Sequence, residues 1–488
     1  MNNKNLFSNS IYNILYKLLN VIFPLISSIY ASRILQPSGI GMVSSAQNIV
    51  TYFTLIAALG IPTYGVKEIA KNHDNNIEKN RTFSELISIN FISTTICAIA
   101  YYVMIFGLPY FENKRILYCV VGINIVFNYF NVDWFYQGTE EYKYIMIRSF
   151  LVKVISFLSI ILFVKQVNDY ILYTFINCCA LGLNYLLNVI RLFKKAKLSL
   201  KNINLKRHLK PVLFLLLTSI SIEIYVLIDT TMLTFLFSEE IVGYYSTSTK
   251  IISTIRTLVI SMCGVFLPKL SYYYSNNNID KFNKLIQTGF KVILLFSVPA
   301  AIGTFMVADY AIPILFGSQY NDAILTTKIF SLSIITVAFS NFIGYQVLVT
   351  IGQEKKVFIS TIIGAVLNIC LNSIMIPIMK HNGAAIASVL TELSVTVIQI
   401  VFMKKYVKIK IASKFILKEI VCLFVMITTV YLSISLIQND FMKFVISIVS
   451  GLAVYIIFSF IVKQDIFNDF LIKLKRGKKN EKDINYRR

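Results

Sequence analysis

The sequence predicts an all-α, polytopic membrane protein, and three observations carry that expectation. Hydrophobic residues make up 56% of the 488 positions and the mean hydropathy is +0.68, well above the values of soluble domains. Apolar runs of about 20 residues, long enough to cross a bilayer as helices, recur from one end of the chain to the other. The formal net charge of +23 is gathered between those runs, so it speaks for orientation in a membrane rather than for a nucleic-acid partner.

Fourteen runs qualify, at residues 10–34, 41–64, 84–107, 116–137, 145–164, 170–190, 211–237, 244–268, 288–308, 323–349, 358–379, 384–403, 416–437 and 443–462. They group as an N-terminal six-helix lobe with a basic linker (1–210), a C-terminal six-helix lobe (211–403), and two final helices with a charged tail (404–488). With both termini cytoplasmic, the inner segments hold 35 of the 47 basic residues, Arg148 among them, and the outer turns only Arg33, Lys114, Arg115, Lys165, Lys380 and Lys443. That asymmetry follows the positive-inside rule. The first run is too long, and lacks the small-residue pattern, for a cleavable signal peptide.

In the first run Lys17 lies about two turns from the inner end, where it can snorkel to the surface or line a cavity, and Pro24 predicts a kink. The stretch RILQPSGIGMVSSAQNIVTYFTLIAALGIPTYGVKEIAK, from Arg33 to Lys71, places a Pro-Ser-Gly-Ile-Gly turn between two spans and includes Gly41. At the inner end of the fourth span, NVDWFYQGTEE contains Asp133, Trp134, Gln137 and Gly138. Anchoring or packing accounts for them better than substrate contact, and a hinge is the alternative. The linker from Arg191 to Lys210 carries eight basic residues that orient the protein and meet anionic lipid.

The seventh and eighth spans are the unusual ones. Glu223 and Asp229 fall inside the first, Lys250 and Arg256 inside the second, and a symmetric hairpin would set Asp229 level with Lys250 and Glu223 level with Arg256. Each charge costs about 2.5–3.5 kcal/mol to insert. They either neutralise each other, take part in ion coupling, or serve a polar cavity. Together with Lys17 and with Lys328 in the tenth span, Lys250 and Arg256 form a cationic set suited to an anionic headgroup. Gly41-Met-Val-Ser and Gly243-Tyr-Tyr-Ser follow corresponding outer turns, as a parallel duplication would give.

Other chemistry is missing from the sequence. It has no phosphate-binding loop, and His73, His208 and His381 lie apart in predicted loops without metal-ligand spacing. All seven cysteines fall in predicted spans as packing residues. The longest outer connection, Asp309 to Asp322, is too short to carry an extracytoplasmic catalytic site. Neither an enzyme nor a cofactor is expected. Asparagine is frequent throughout, so single asparagines carry little weight.

The Arg33–Lys71 stretch, the NVDWFYQGTEE segment and IDTTMLTFLFSEEIVGYYSTSTK from Ile228 to Lys250 together resemble the bacterial polysaccharide flippases of the multidrug/oligosaccharidyl-lipid/polysaccharide exporter superfamily. The motifs cover about the first 270 residues, and beyond them the likeness is one of hydropathy plan. Gln36 departs from the family's usual glycine. The resemblance implies translocation of polyprenyl-diphosphate-linked oligosaccharide repeat units across the bacterial plasma membrane by alternating access. Its implied partners are that lipid-linked oligosaccharide, membrane lipids and other polysaccharide assembly proteins. A cation-coupled multidrug exporter of the same superfamily is the alternative, and a scaffold of envelope assembly a more distant one.

Overall fold

The computed structural model describes residues 3–72, 75–193, 195, 196, 198, 203–407 and 412–464, with backbone alone at 3–11, 13, 14, 17, 218, 221, 222 and 224. His73, part of the basic linker and most of the charged tail lie outside the described residues, as does the side chain of Lys17. Every described element is helical, and the fourteen apolar runs are helical over most of their length, several of them crossing a break between elements. Among the described residues ten helices are long and apolar enough to cross a membrane. Their outward surfaces are greasy: Ile96, Val103 and Ile378 are 62%, 67% and 75% exposed, which is stable only where lipid replaces water. The protein is a multi-pass membrane protein.

The chain divides into two compact units, residues 1–246 and 247–488. The first is built on α1 (Asn3–Ala58), which carries both of the first two spans. Helical dihedrals persist through Pro24, whose expected kink does not break them; the break comes at Gln36, with φ 61° and ψ 174°. That region is nearly reserved for glycine and costs a side-chain-bearing residue about 1–3 kcal/mol. The family's glycine is therefore missing at the position whose backbone needs it. Gln36→Gly is expected to stabilise the protein by about 1 kcal/mol or more, read as a raised unfolding midpoint in detergent; a lowered midpoint would show that the Gln36 side chain outweighs its strain.

After Ala58, Leu59 and Gly60 turn the chain with positive φ into the short amphipathic α2 (Ile61–Lys71). The long α3 (Asn76–Gly107) follows, capped by the Asn75 side chain on the amides of Ile77 and Glu78. A 3-10 turn over Pro109–Lys114 leads to α4 (Arg115–Phe127). The fourth span does not run straight to residue 137: it tightens into a 3-10 turn over Asn128–Phe130, leaves the helix at Asn131 and Val132, and restarts as the one-and-a-half-turn α5 (Asp133–Gly138). Next come α6 (Tyr142–Phe163), α7 (Tyr170–Leu192), α8 (Lys206–Leu236) and α9 (Glu239–Cys263), the last of which crosses the boundary between the units. Within the first unit α1 packs on α3, α4, α6 and α8, while α4 and α6 pack on α7.

The second unit continues with α10 (Phe266–Ser275) and α11 (Ile279–Phe316). Its tenth span is segmented into α12 (Ala323–Ser331), α13 (Ser333–Asn341) and a π-helical turn over Phe342–Leu348. Two spans then share α14 (Glu354–Lys404), bent at Lys380, where φ is 52°. The final pair, α15 (Ser413–Leu436) and α16 (Asp440–Ile461), packs together and against α11.

Candidate functional site

Within the first unit the two glycines singled out by the repeat meet across a helix crossing. A Cβ on Gly41 would lie 1.7 Å from the Glu239 carbonyl oxygen and 3.0 Å from the Gly243 nitrogen, and one on Gly243 would lie 2.0 Å from the Pro37 carbonyl oxygen. Backbone touches backbone there, as small residues allow in membrane helices. Polar bonds continue the same seam between α1 and α8: Ser45 accepts from Thr234 at 2.9 Å, the Asn48 side chain bonds Thr231 Oγ1 at 2.7 Å, and Tyr52 reaches that hydroxyl at 2.9 Å. Lys114 pairs with Glu239, and Tyr110 donates to the Thr234 carbonyl at 3.1 Å. Arg33 is exposed on α1, close to the bend.

The NVDWFYQGTEE segment is packed rather than splayed to the surface. Trp134 is 2% exposed, donates Nε1 to the Asn131 carbonyl at 3.0 Å, and lies flat enough on Gly65 that a Cβ there would approach its ring to 2.4 Å. Gly138 is buried against Ile69, and Gln137 is half-buried. Asp133 accepts from Arg148 Nη1 at 3.1 Å and from the Asn188 side-chain amide, and Arg148 also donates to Asn188 Oδ1. Arg148 is 5% exposed, deeper than the inner-loop position that the charge count gives it. Its ion pair with Asp133 is buried on the arginine side and about one-fifth exposed on the carboxylate side, and Asn188 bonds both partners.

Beside this network a cavity of 410 Å³ opens into the first unit, within the range of small-molecule sites, about 300–1,000 Å³. One wall is α1, whose Gln47, Thr51 and Thr54 recur at helical spacing. Another is the end of α4 and the 3-10 turn that continues it, contributing Asn124, Asn128 and, just beyond, Asn131. Leu181 and Tyr185 enter from α7, and Glu223 from α8. Asn128 is fully used by the protein, donating to Asn90 Oδ1 at 2.9 Å and Thr94 Oγ1 at 2.8 Å and accepting from Asn131 at 3.3 Å. Asn124 Oδ1 is buried with no partner in the structure. Asn131 follows the 3-10 turn Asn128–Phe130 and lines the cavity with the other two amides.

The expected charges divide between the units. Glu223 lines the cavity, and Asp229, 2% exposed, accepts a hydrogen bond from Tyr245, a partner the sequence did not single out. Lys250, Arg256 and Lys328 all belong to the second unit. Lys250 is half-buried on α9. Arg256 donates Nε to Ser333 Oγ at 3.0 Å, with Phe330 5.7 Å from its guanidinium carbon. Lys328 is paired with Asp309 at 2.7 Å and sits over the Phe305 ring.

The histidines also depart from expectation. His208 is in the first turn of α8 and His381 at the bend of α14, both buried. His208 Nε2 lies 2.8 Å from Glu85 Oε2 and Nδ1 lies 3.0 Å from the Tyr64 hydroxyl. Among the described residues no cluster of His, Cys, Asp or Glu has the makings of a metal site.

Known proteins with this plan are transporters. Residues 6–274, more than half of the chain, match the family described as polysaccharide biosynthesis protein, and residues 215–374 match the MatE model. A protein of Escherichia coli (strain K12) named "Putative O-antigen transporter" is 22% identical over 399 residues, covering 81% of this chain and 96% of its own. The structure titled "Lipid II flippase MurJ, inward closed conformation" superposes with a TM-score of 0.75 at 18% identity, over 94% of this chain and 100% of that one. An inward-facing MATE family transporter of the MOP superfamily gives a TM-score of 0.58 at 14% identity, over 81% and 94%. With the family's signature segments placed in its folded core and its model matched across them, the chain belongs to the polysaccharide biosynthesis protein family.

Proposed function

We propose that this protein is a flippase that carries polyprenyl-diphosphate-linked oligosaccharide repeat units from the inner to the outer leaflet of the bacterial plasma membrane, with both termini cytoplasmic. The observation that carries this reading is the polar cavity among membrane-crossing helices. A cavity of amides and hydroxyls inside a bilayer has a use only if something hydrophilic enters it. The O-antigen transporter relative and the lipid II flippase fold point to the same class of cargo. Alternating access would move the headgroup while the lipid tail stays in the membrane, with the six-helix lobes 1–210 and 211–403 as the moving parts. Chemistry on the sugar is left to other assembly proteins.

Arg256 is the strongest cation for the diphosphate. Its guanidinium, oriented by Ser333 and Phe330, can grip phosphate oxygens through two parallel N–H groups, which a lysine cannot. Lys250 adds a mobile charge, Lys17 a further one from α1, and Lys328 draws the headgroup onward in exchange for Asp309. A second reading, a cation-coupled multidrug exporter, is favoured by the MatE match and by the Glu223 carboxylate in the cavity.

Liposomes reconstituted with the full chain separate the two. Arg256→Ala is expected to slow translocation of polyprenyl-diphosphate oligosaccharide at least about tenfold at equal incorporation, as loss of one charge-assisted contact would. Unchanged transport removes Arg256 from the site. No movement of the lipid, with uptake of a small organic cation, establishes the exporter instead.

A further inference from the structure

We infer that the final helix pair carries a proton-binding site: Glu419 of α15 is held as a neutral carboxylic acid, and its proton fastens α15 and α16 to α11. The site involves none of the residues assigned to cargo, so it stands whichever cargo the protein carries. Glu419 is 5% exposed within a membrane-crossing helix. The hydroxyl of Tyr455 on α16 lies 2.5 Å from its Oε1, and Gln464, just past the end of α16, donates Nε2 to its Oε2 at 2.8 Å. The same Tyr455 hydroxyl lies 2.8 Å from the Leu295 carbonyl oxygen of α11. A phenol has one hydrogen and can fully satisfy only one of these two oxygens.

Pro299 decides which. In a helix the carbonyl of residue 295 accepts from the N–H of residue 299, and proline has no N–H to give. Because α11 runs on through Pro299 and Leu295 is fully buried, that carbonyl needs a donor from outside its own helix, and Tyr455 supplies it. The 2.5 Å contact between Tyr455 and Glu419 then has a hydrogen only if the carboxyl brings one, and two oxygens this close without a hydrogen repel. One arrangement satisfies every partner. Glu419 Oε1–H donates to the Tyr455 oxygen, Tyr455 donates to Leu295, and Oε2, the C=O of the acid, accepts from Gln464. Neutrality also removes the cost of an ionised carboxylate at a buried membrane site. Of the charged groups on these elements, Lys418 donates to the Lys463 carbonyl at 2.6 Å, and Lys291 of α11 stands 5.2 Å from the centre of the Phe415 ring. Cys422, fully buried, is the titratable group on the next turn of α15. Loss of the proton leaves the carboxylate and the Leu295 carbonyl competing for one hydrogen, which loosens the tether at a turn of α11 whose hydrogen-bond ladder is already interrupted.

Infrared spectroscopy of the purified full-length protein in lipid nanodiscs tests this at about pH 7, where an exposed glutamate, with its pKa of about 4.3, is ionised. The wild-type spectrum minus that of Glu419→Gln is expected to show the carbonyl band of a protonated carboxylic acid, shifted by deuteration. Other acidic groups cancel, because both proteins keep them. Glu419→Gln should hold its unfolding midpoint close to that of wild type, since its amide donates to Tyr455 and accepts from Gln464 as the acid does. In Tyr455→Phe the acid band shifts, because the acid has lost the oxygen to which it donates. A carboxylate band in place of the acid band overturns the inference, and so does an acid band that Tyr455→Phe leaves unmoved. A midpoint for Glu419→Gln lowered as far as that of Glu419→Ala overturns it too, since a neutral group of the same shape would then not replace the native one.

Discussion

Gly41→Val is expected to open the crossing between α1 and the start of α9 and to cost at least about 3 kcal/mol, at or beyond the top of the usual overpacking range. Gly41 lies within α1 and does not need a left-handed conformation, so the penalty isolates contact from backbone freedom. The atom its Cβ would strike at 1.7 Å is the carbonyl oxygen of Glu239, part of a helix backbone that cannot rotate away as a side chain can. Relief requires moving the start of α9 together with the end of α8 that leads into it, which breaks the Lys114–Glu239 bond at α9 and the Ser45–Thr234 bond at α8. The measurement is cross-linking of a Ser45→Cys, Thr234→Cys pair in a background lacking the native cysteines. Efficient cross-linking when Gly41 is retained, and little when Gly41→Val is added, is the expected pattern. Equal yields would mean that the valine fits without pushing the end of α8 and the start of α9 away from α1.

The same pair of glycines shows what could be read from the chain beforehand. Matching Gly-x-x-Ser tetrads after two outer turns marked Gly41 and Gly243 as equivalent positions, but not that they touch, because a repeat fixes correspondence and not contact. Spans were legible from hydropathy, since each apolar run of membrane length must form a helix to satisfy its backbone. Segmentation was less so: nothing in the composition of 116–137 announces the 3-10 turn at Asn128 and the break after it. The cavity was hidden by the chain's abundant asparagine. Its signal lay in spacing, with polar residues at 47, 51 and 54 on α1 and at 124, 128 and 131 on the fourth span, each an i, i+4, i+7 stripe within an otherwise apolar helix. Charges drew attention instead, and of those Glu223 lines the cavity, whereas Arg148, counted only with the inner segments, is buried. His208 was unreadable as a partner of Glu85, because 123 residues separate them.

That partnership gives the second large effect: Glu85→Ala is expected to destabilise the first unit by about 3 kcal/mol. The Glu85 side chain is fully buried near the start of α3 and gathers donors from a distant part of the chain. It accepts from the Asn204 amide at 2.7 Å, from Arg207 at 2.6 Å and from Arg81 at 3.2 Å, with His208 Nε2 at 2.8 Å. Alanine removes the acceptor shared by the Asn204 N–H and the His208 imidazole, whose ring is 2% exposed. Arg207 is one-third exposed and keeps Glu78 at 2.6 Å, so Arg207→Ala should cost only about 1 kcal/mol. The contrast between the two variants is the test, because a general weakness of this region would lower both alike. Trp134, the only tryptophan of the chain, reports it directly: its ring centroid is 5.7 Å from that of Phe83, two residues before Glu85, inside the same apolar cluster. A fluorescence unfolding midpoint that falls steeply in Glu85→Ala and slightly in Arg207→Ala is expected. If the two fall equally, the carboxylate is not what ties the entry of α8 to α3.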